Sequence, residues 1–281
     1  MRFTAPSRKR FLEAVYETYH RPEFIHPDPL EFLCRYEHAG DREIVGFLAS
    51  SLAYGRVAQI LKSVERVIKG MGNSPRFFLA KASREDLMMA FPGFKHRFTT
   101  DGELVDVLFA MGRVISIYGS LYECFLHGYD PEETDISEAM AAFVEELKAH
   151  MKTGGNSLLP CPSKQSACKR LHLFLRWMVR EDAVDPGGWS AVSPAKLIVP
   201  LDVHMHRIGI ALGMTSRKQA DLRTAREITG AFRTVAPDDP VRYDFSLTRI
   251  GIRNDVDIGS MMHYKGSLKR SKNSMRGVWY G

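Results

Sequence analysis

The chain is poor in cysteine: it has four in 281 residues, Cys34, Cys124, Cys161 and Cys168. Only the last two lie near each other. That excludes a small disulfide-stapled fold and predicts free thiols in a reducing compartment. Long apolar runs are missing too. The start, Met1-Arg2-Phe3-Thr4, lacks the apolar segment of a secretory signal. No stretch approaches the roughly 20 apolar residues of a membrane span. The expected location is therefore the cytoplasm. No stretch alternates polar and apolar residues long enough to predict a sheet. No internal repeat or low-complexity segment is visible. Metal-ligand spacing is absent as well. His204 and His206 are alternate residues, so on a helix they do not share a face. No metal and no cofactor are expected.

What the chain does have is apolar content, 44% of residues. That is enough for a substantial core, in one domain or two packed lobes. It is also basic, with 39 Lys and Arg against 33 Asp and Glu and a net charge of +6. Such a balance suits a polyanionic partner. The excess is uneven. Lys265, Lys269, Arg270, Lys272 and Arg276 fall in a tail without a single acid. Helical periodicity dominates the rest. Helices are predicted over 7–19, from Asp41 as cap through Arg56, over 59–69, over 101–118, from Leu121, and over 135–151. Pro162 and Ser163 are start signals for a further helix. Its apolar stripe is Leu171, Phe174, Leu175, Met178 and Val179. The stretch from Glu181 to Trp189 is rich in acids, Pro and Gly and is expected to be a surface loop, with Trp189 as a packing anchor. Arg217 and Lys218 are expected to open another helix. The last predicted helix runs from about Val241 through Arg249.

The chemistry concentrates in Pro200-Leu201-Asp202-Val203-His204-Met205-His206-Arg207. An acid, two histidines and an arginine fall within six residues. Asp202 precedes a helix-like pattern, where the free backbone N–H groups favour an ionised carboxylate. Upstream, Lys164, Lys169 and Arg170 lie at or before the start of the apolar helix.

The Pro200–Met205 segment, with a lysine upstream, resembles the helix-hairpin-helix DNA glycosylases. It is closest to the 8-oxoguanine DNA glycosylase branch, in which a P-x-D-V-H-M run carries the essential aspartate. The likeness is sharp over about residues 160–255 and diffuse before that. The whole chain also resembles a bacterial family catalogued as of unknown function. The resemblance implies an all-α, two-lobed glycosylase-like fold with a cleft between the lobes. Residues 1–264 would form that domain, with a lobe boundary near 150–160, and 265–281 a basic tail. The implied activity is DNA repair: excision of a damaged base from a flipped nucleotide in double-stranded DNA. The expected lesion is an oxidised purine such as 8-oxoguanine. A Schiff-base (AP lyase) step would use a lysine amine.

By the same resemblance, Lys169 is the candidate nucleophile, with Lys164 in competition. Asp202 is its electrostatic partner, stabilising positive charge on the sugar. His204 would contact a DNA phosphate, and Asp244 would read the flipped base. Tyr54 would line the base pocket. Lys164, Gln165, Arg170, Arg217 and Lys218 are further candidate DNA contacts. This sequence departs from the pattern in two places. The usual hairpin turn carries G-x-G, whereas Ser163-Lys164-Gln165-Ser166 has no glycine. An insertion, Glu181–Trp189, separates the lysine helix from the aspartate. Some relatives hold an iron–sulfur cluster on four cysteines near the C-terminus. No cysteine follows Cys168, so no such cluster is expected. Two alternatives remain open: a monofunctional glycosylase for another lesion, and a DNA-binding protein that kept the fold without the chemistry.

Overall fold

A computed structural model describes residues 5–152, 155–162 and 166–252. Lys164, Gln165 and the tail 265–281 lie outside the described residues. Within them the chain is all-α apart from one small hairpin. Its helices are α1 (Ala5–Tyr19), α2 (Ala39–Ser51), α3 (Val57–Met71), α4 (Pro75–Lys81), α5 (Arg84–Ala90), α6 (Asp101–Tyr118), α7 (Leu121–His127), α8 (Ser137–Ala149), α9 (Lys169–Val179), α10 (Val203–Ala211), α11 (Leu222–Arg233) and α12 (Asp244–Ile252). The hairpin joins β1 (Lys95–His96) to β2 (Thr99–Thr100), with Lys95 opposite Thr100 and His96 opposite Thr99. Two residues per strand are too few to leave an alternation readable in the sequence.

Local capping explains where many of these helices begin. Thr100 and Glu103 form a reciprocal capping box at α6, and Ser83 and Asp86 do the same at α5, each satisfying N–H groups that lack an intrahelical partner. The helix α6 ends at Gly119, whose φ of +92° is cheap only for glycine. No single described helix is long and apolar enough to cross a membrane. Together α6 and α7 are apolar, but the pair is bent by 70°, and both bury most of their apolar residues in the core, Ile117 excepted.

Several expected boundaries shift. Asp41 does not cap α2, which begins at Ala39. Its carboxylate instead accepts from the Ser74 hydroxyl (2.9 Å) and the Arg76 N–H (2.8 Å). An acid one turn inside its own helix is thus drawn to the free N–H groups at the start of α4. The expected run from Asp41 through Arg56 stops at Ser51, and Gly55 adopts a φ of +97° before α3. Pro162 and Ser163 do not start α9. It begins at Lys169, after Cys168 with a left-handed φ of +39°. Arg217 and Lys218 lie before α11 rather than in its first turn, because Asp221 is the cap and takes the Thr224 N–H at 2.8 Å.

The core centres on α2 packed against α9. Phe47, Phe174, Phe125 and Trp189 meet edge-on or tilted, with Phe174 and Trp189 ring centroids 5.0 Å apart. A single connected apolar cluster runs from Leu12 to Ile250. The first helix closes onto the last: α1 packs on α12, and Tyr243 donates to Glu13 at 2.6 Å. The stretch 181–189 is not a surface loop throughout. Val184, Asp185 and Trp189 are buried. Trp189 is the packing anchor expected, and its indole N–H donates to Glu43 at 3.2 Å. Asp185 is drawn inward by Arg176, in the last turn of α9, and Arg180, the residue that follows the helix.

Candidate active site

Asp202 is the N-cap of α10. Its Oδ1 accepts the N–H groups of His204 and Met205, both at 2.9 Å. Two backbone bonds on one oxygen fix the carboxylate and leave Oδ2 free to face elsewhere. It faces Lys169, whose Nζ lies 3.2 Å away. Lys169 is the first residue of α9, so two helix starts converge and bring a cation and an anion together. Neither side chain is sealed: 34% of Lys169 and 24% of Asp202 remain exposed. Burial works to raise the Asp202 pKa. The Lys169 ammonium, the Met205 N–H and the His204 ring outweigh it and hold the carboxyl below its ordinary value.

The pair opens onto a cavity of about 690 Å³, within the range of small-molecule sites. Six of the ten residues singled out in the sequence line it: Tyr54, Lys169, Arg170, Asp202, His204 and Asp244. Arg217 and Lys218 do not. The Arg217 guanidinium instead pairs with Asp221 and donates to the Thr224 hydroxyl at 2.8 Å. Arg170 donates to the Ser51 carbonyl (2.6 Å) and the Ser157 carbonyl (2.7 Å), and lies over the Tyr54 ring. It therefore braces the cavity wall. His204 is exposed in the first turn of α10.

Asp244 lies deeper, at the first residue of α12, and is 2% exposed. Its Oδ2 is hydrogen-bonded to the Arg176 guanidinium. Its Oδ1 has no partner among the described residues. Burial raises its pKa above the ordinary carboxylate value, with Arg176 pulling the other way. A buried network continues away from the cavity. Arg176 bonds Asp185 at 3.0 Å, Asp185 bonds Arg180, and Arg180 bonds Asp239 at 3.0 Å. Asp28 and Arg249 pair at another part of the lining.

Sequence reasoning missed Arg176, Asp28 and Arg249. Arg176 interrupts the apolar run from Leu173 to Val179 and was a usable signal, because a buried cation needs a partner. Nothing local pointed to Asp28, which lies 221 positions from Arg249. Among the described residues no group of three or more His, Cys, Asp or Glu is placed to hold a metal ion.

An ion pair at the wall of an open cavity allows proton transfer and stabilisation of positive charge on a bound ligand. It also offers an amine that becomes nucleophilic once its proton has moved. Over residues 28–253 the chain matches the family described as "Protein of unknown function (DUF2400)", and it belongs to that family. No curated protein and no solved structure matches it.

Proposed function

We propose that the chain is a DNA glycosylase of the helix-hairpin-helix kind. It excises a damaged base, in the first instance an oxidised purine such as 8-oxoguanine, from double-stranded DNA. The observation that carries this reading is the 3.2 Å approach of Lys169 to Asp202 beside a cavity with room for a nucleobase. The basic balance of the chain suits the polyanion. The expected cytoplasmic, nucleoid-associated location belongs to the same reading.

In the proposed reaction, positive charge grows on the sugar as its bond to the base breaks, and the Asp202 carboxylate stabilises it. The Lys169 nitrogen bonds to C1′ as the C1′–N bond yields. The Lys169 proton goes to the departing base, directly or through Asp202. The C1′–O4′ bond then breaks, O4′ takes a proton from the Lys169 nitrogen to become a hydroxyl, and a protonated imine links Lys169 to C1′ of the opened sugar. His204, beside the N-terminus of α10, is suited to a phosphate. Asp244 would accept N–H groups from a base edge through its unpartnered Oδ1, which is buried and has to be uncovered as the base enters.

One observation favours a second reading. The Lys169 nitrogen is engaged in an ion pair with Asp202 at 3.2 Å rather than standing free toward the cavity, which suits a monofunctional enzyme whose attacking group is water. Borohydride reduction separates the two. A covalent protein–DNA adduct on an 8-oxoguanine duplex, lost in Lys169→Gln, supports the lyase. Base release without an adduct supports the second reading. No release from a panel of damaged duplexes overturns both.

A further inference from the structure

Phe98 is 65% exposed, in contrast to the buried phenylalanines at the centre of the core. It sits at the tip of the β1–β2 hairpin, next to Arg97. Arg97 holds a φ of +54°, a conformation that non-glycine residues rarely adopt. The tip is seated on the turn between α2 and α3. A Cβ at Gly55 would come 2.8 Å from the Arg97 side chain. The Phe98 ring stacks on Tyr54, with centroids 5.1 Å apart and planes 21° from parallel. Tyr54 lines the cavity. The hairpin therefore presents an aromatic ring beside the cavity, on the lining residue Tyr54, with one face against that ring and 65% of the residue exposed.

Tyr54 itself is occupied. Its ring also meets His96 edge-on and lies under the Arg170 guanidinium, 5.1 Å from the ring centre. Its hydroxyl is bonded to the His96 carbonyl and the Thr99 hydroxyl. A ring so engaged has little face to offer a ligand, whereas Phe98 has one. At the hairpin itself the charges are cationic, and the nearest acids, Asp101 and Glu103, lie at its base, where they accept the Gly93 and Thr100 N–H groups. Lys95 and Arg97 are both exposed, and the segment Phe94–Thr100 contains no acid. Among the described residues neither cation is in an ion pair. An exposed aromatic flanked by free cations matches a π-faced base joined to a phosphate backbone.

We infer that the β1–β2 hairpin is a nucleic-acid contact in which Phe98 stacks on a base exposed by a gap in the duplex. Lys95 and Arg97 hold the neighbouring phosphates. This rests on the proposed DNA-processing site and adds a contact outside it. The contact distinguishes an interrupted stack from an intact one, whatever chemistry follows.

The test measures affinity by fluorescence anisotropy for two short duplexes of one sequence. One is intact and the other carries a tetrahydrofuran abasic-site analogue. Wild-type protein is expected to prefer the tetrahydrofuran duplex. Phe98→Leu keeps the apolar contact with Tyr54 but removes the π face, and should lose about ten- to a hundredfold of that preference. Its affinity for intact duplex should be unchanged. Phe98→Trp should keep the preference. Lys95→Ala with Arg97→Ala should weaken both duplexes alike and flatten their salt dependence. A full preference retained by Phe98→Leu overturns the inference and leaves the glycosylase reading standing. No preference for either duplex in Asp202→Asn and wild-type protein alike, with no base release, overturns both.

Discussion

One carboxylate performs two tasks at Asp202, and its two oxygens divide them. Oδ1 caps α10 and Oδ2 meets Lys169. Asparagine caps a helix about as well as aspartate, so Asp202→Asn separates the tasks. It should change stability by less than about 1 kcal/mol. Base release in single-turnover assays should fall by roughly two to three orders of magnitude, with binding to DNA retained. A near wild-type rate would remove Asp202 from the chemistry. The cap was legible in the sequence, since a capping acid is followed at once by its own helix. The distance to Lys169 was not, because 33 positions separate the two and only packing of α9 and α10 closes the gap. Tyr54 shows another division: it lines the cavity, and its occupied ring is visible only in three dimensions.

Between elements, close approach and buried charge decide the packing. In α6, a Cβ on Gly112 would lie 2.6 Å from the Leu79 carbonyl oxygen of α4. Backbone cannot step aside as a flexible side chain does. Gly112→Ala should therefore destabilise the protein by about 1–3 kcal/mol despite the better helix propensity of alanine. Urea denaturation measures this, and a stabilised variant would refute the approach. Glu43 of α2 accepts the N–H groups of Leu121 (2.9 Å) and Tyr122 (3.0 Å) at the start of α7. It also accepts the Trp189 indole N–H. Burial pushes its pKa up to about 7, against the pull of these bonds. Between roughly pH 4.5 and 7 the unfolded chain releases this proton while the folded chain keeps it. Stability should therefore fall as pH rises through that window, by up to about 3 kcal/mol from this group. Glu43→Gln loses acceptor capacity and is less stable at pH 5. The gap to wild type should narrow by pH 7.5, and a gap that widens would refute the sign. Nothing in the local pattern of α2 announces this acid as buried, because its donors come from α7 and from Trp189.

Across the whole molecule, the charged chain Asp244–Arg176–Asp185–Arg180–Asp239 joins α12, α9 and the 181–189 stretch. Arg176 and Asp185 are almost fully buried. Removing one member strands its partners in low dielectric. Asp185→Ala should cost about 3–5 kcal/mol in urea denaturation, and a loss below about 1 kcal/mol would show the network to be dispensable. The basic tail is a molecule-scale matter too. Deleting it from Lys265 onward should weaken binding to undamaged duplex. For every phosphate that the shortened chain no longer neutralises, the plot of log K against log salt should flatten by about 0.9. An unchanged slope would make the tail a passive end. Lesion preference should survive the deletion, since phosphate binding carries no base information.

Whatever depends on neighbours within a turn or two was determined by the sequence itself. The all-α class, the bounds of α6, the cap at Asp202 and the inward face of α9 follow from capping residues and 3.6-residue periodicity. These act through bonds and packing a few positions apart. Tertiary structure alone decided the rest. It turned Asp41 from a cap of its own helix into a brace for α4. It buried Asp185 in a stretch that reads as solvated, and it drew Asp244 onto Arg176. It also stacked Phe98 on Tyr54, beside the cavity. Asp185 takes its partners five and nine positions away, across a turn, and the others take theirs from far along the chain; in each case a charge or ring takes its role from the groups that packing brings within a few ångströms.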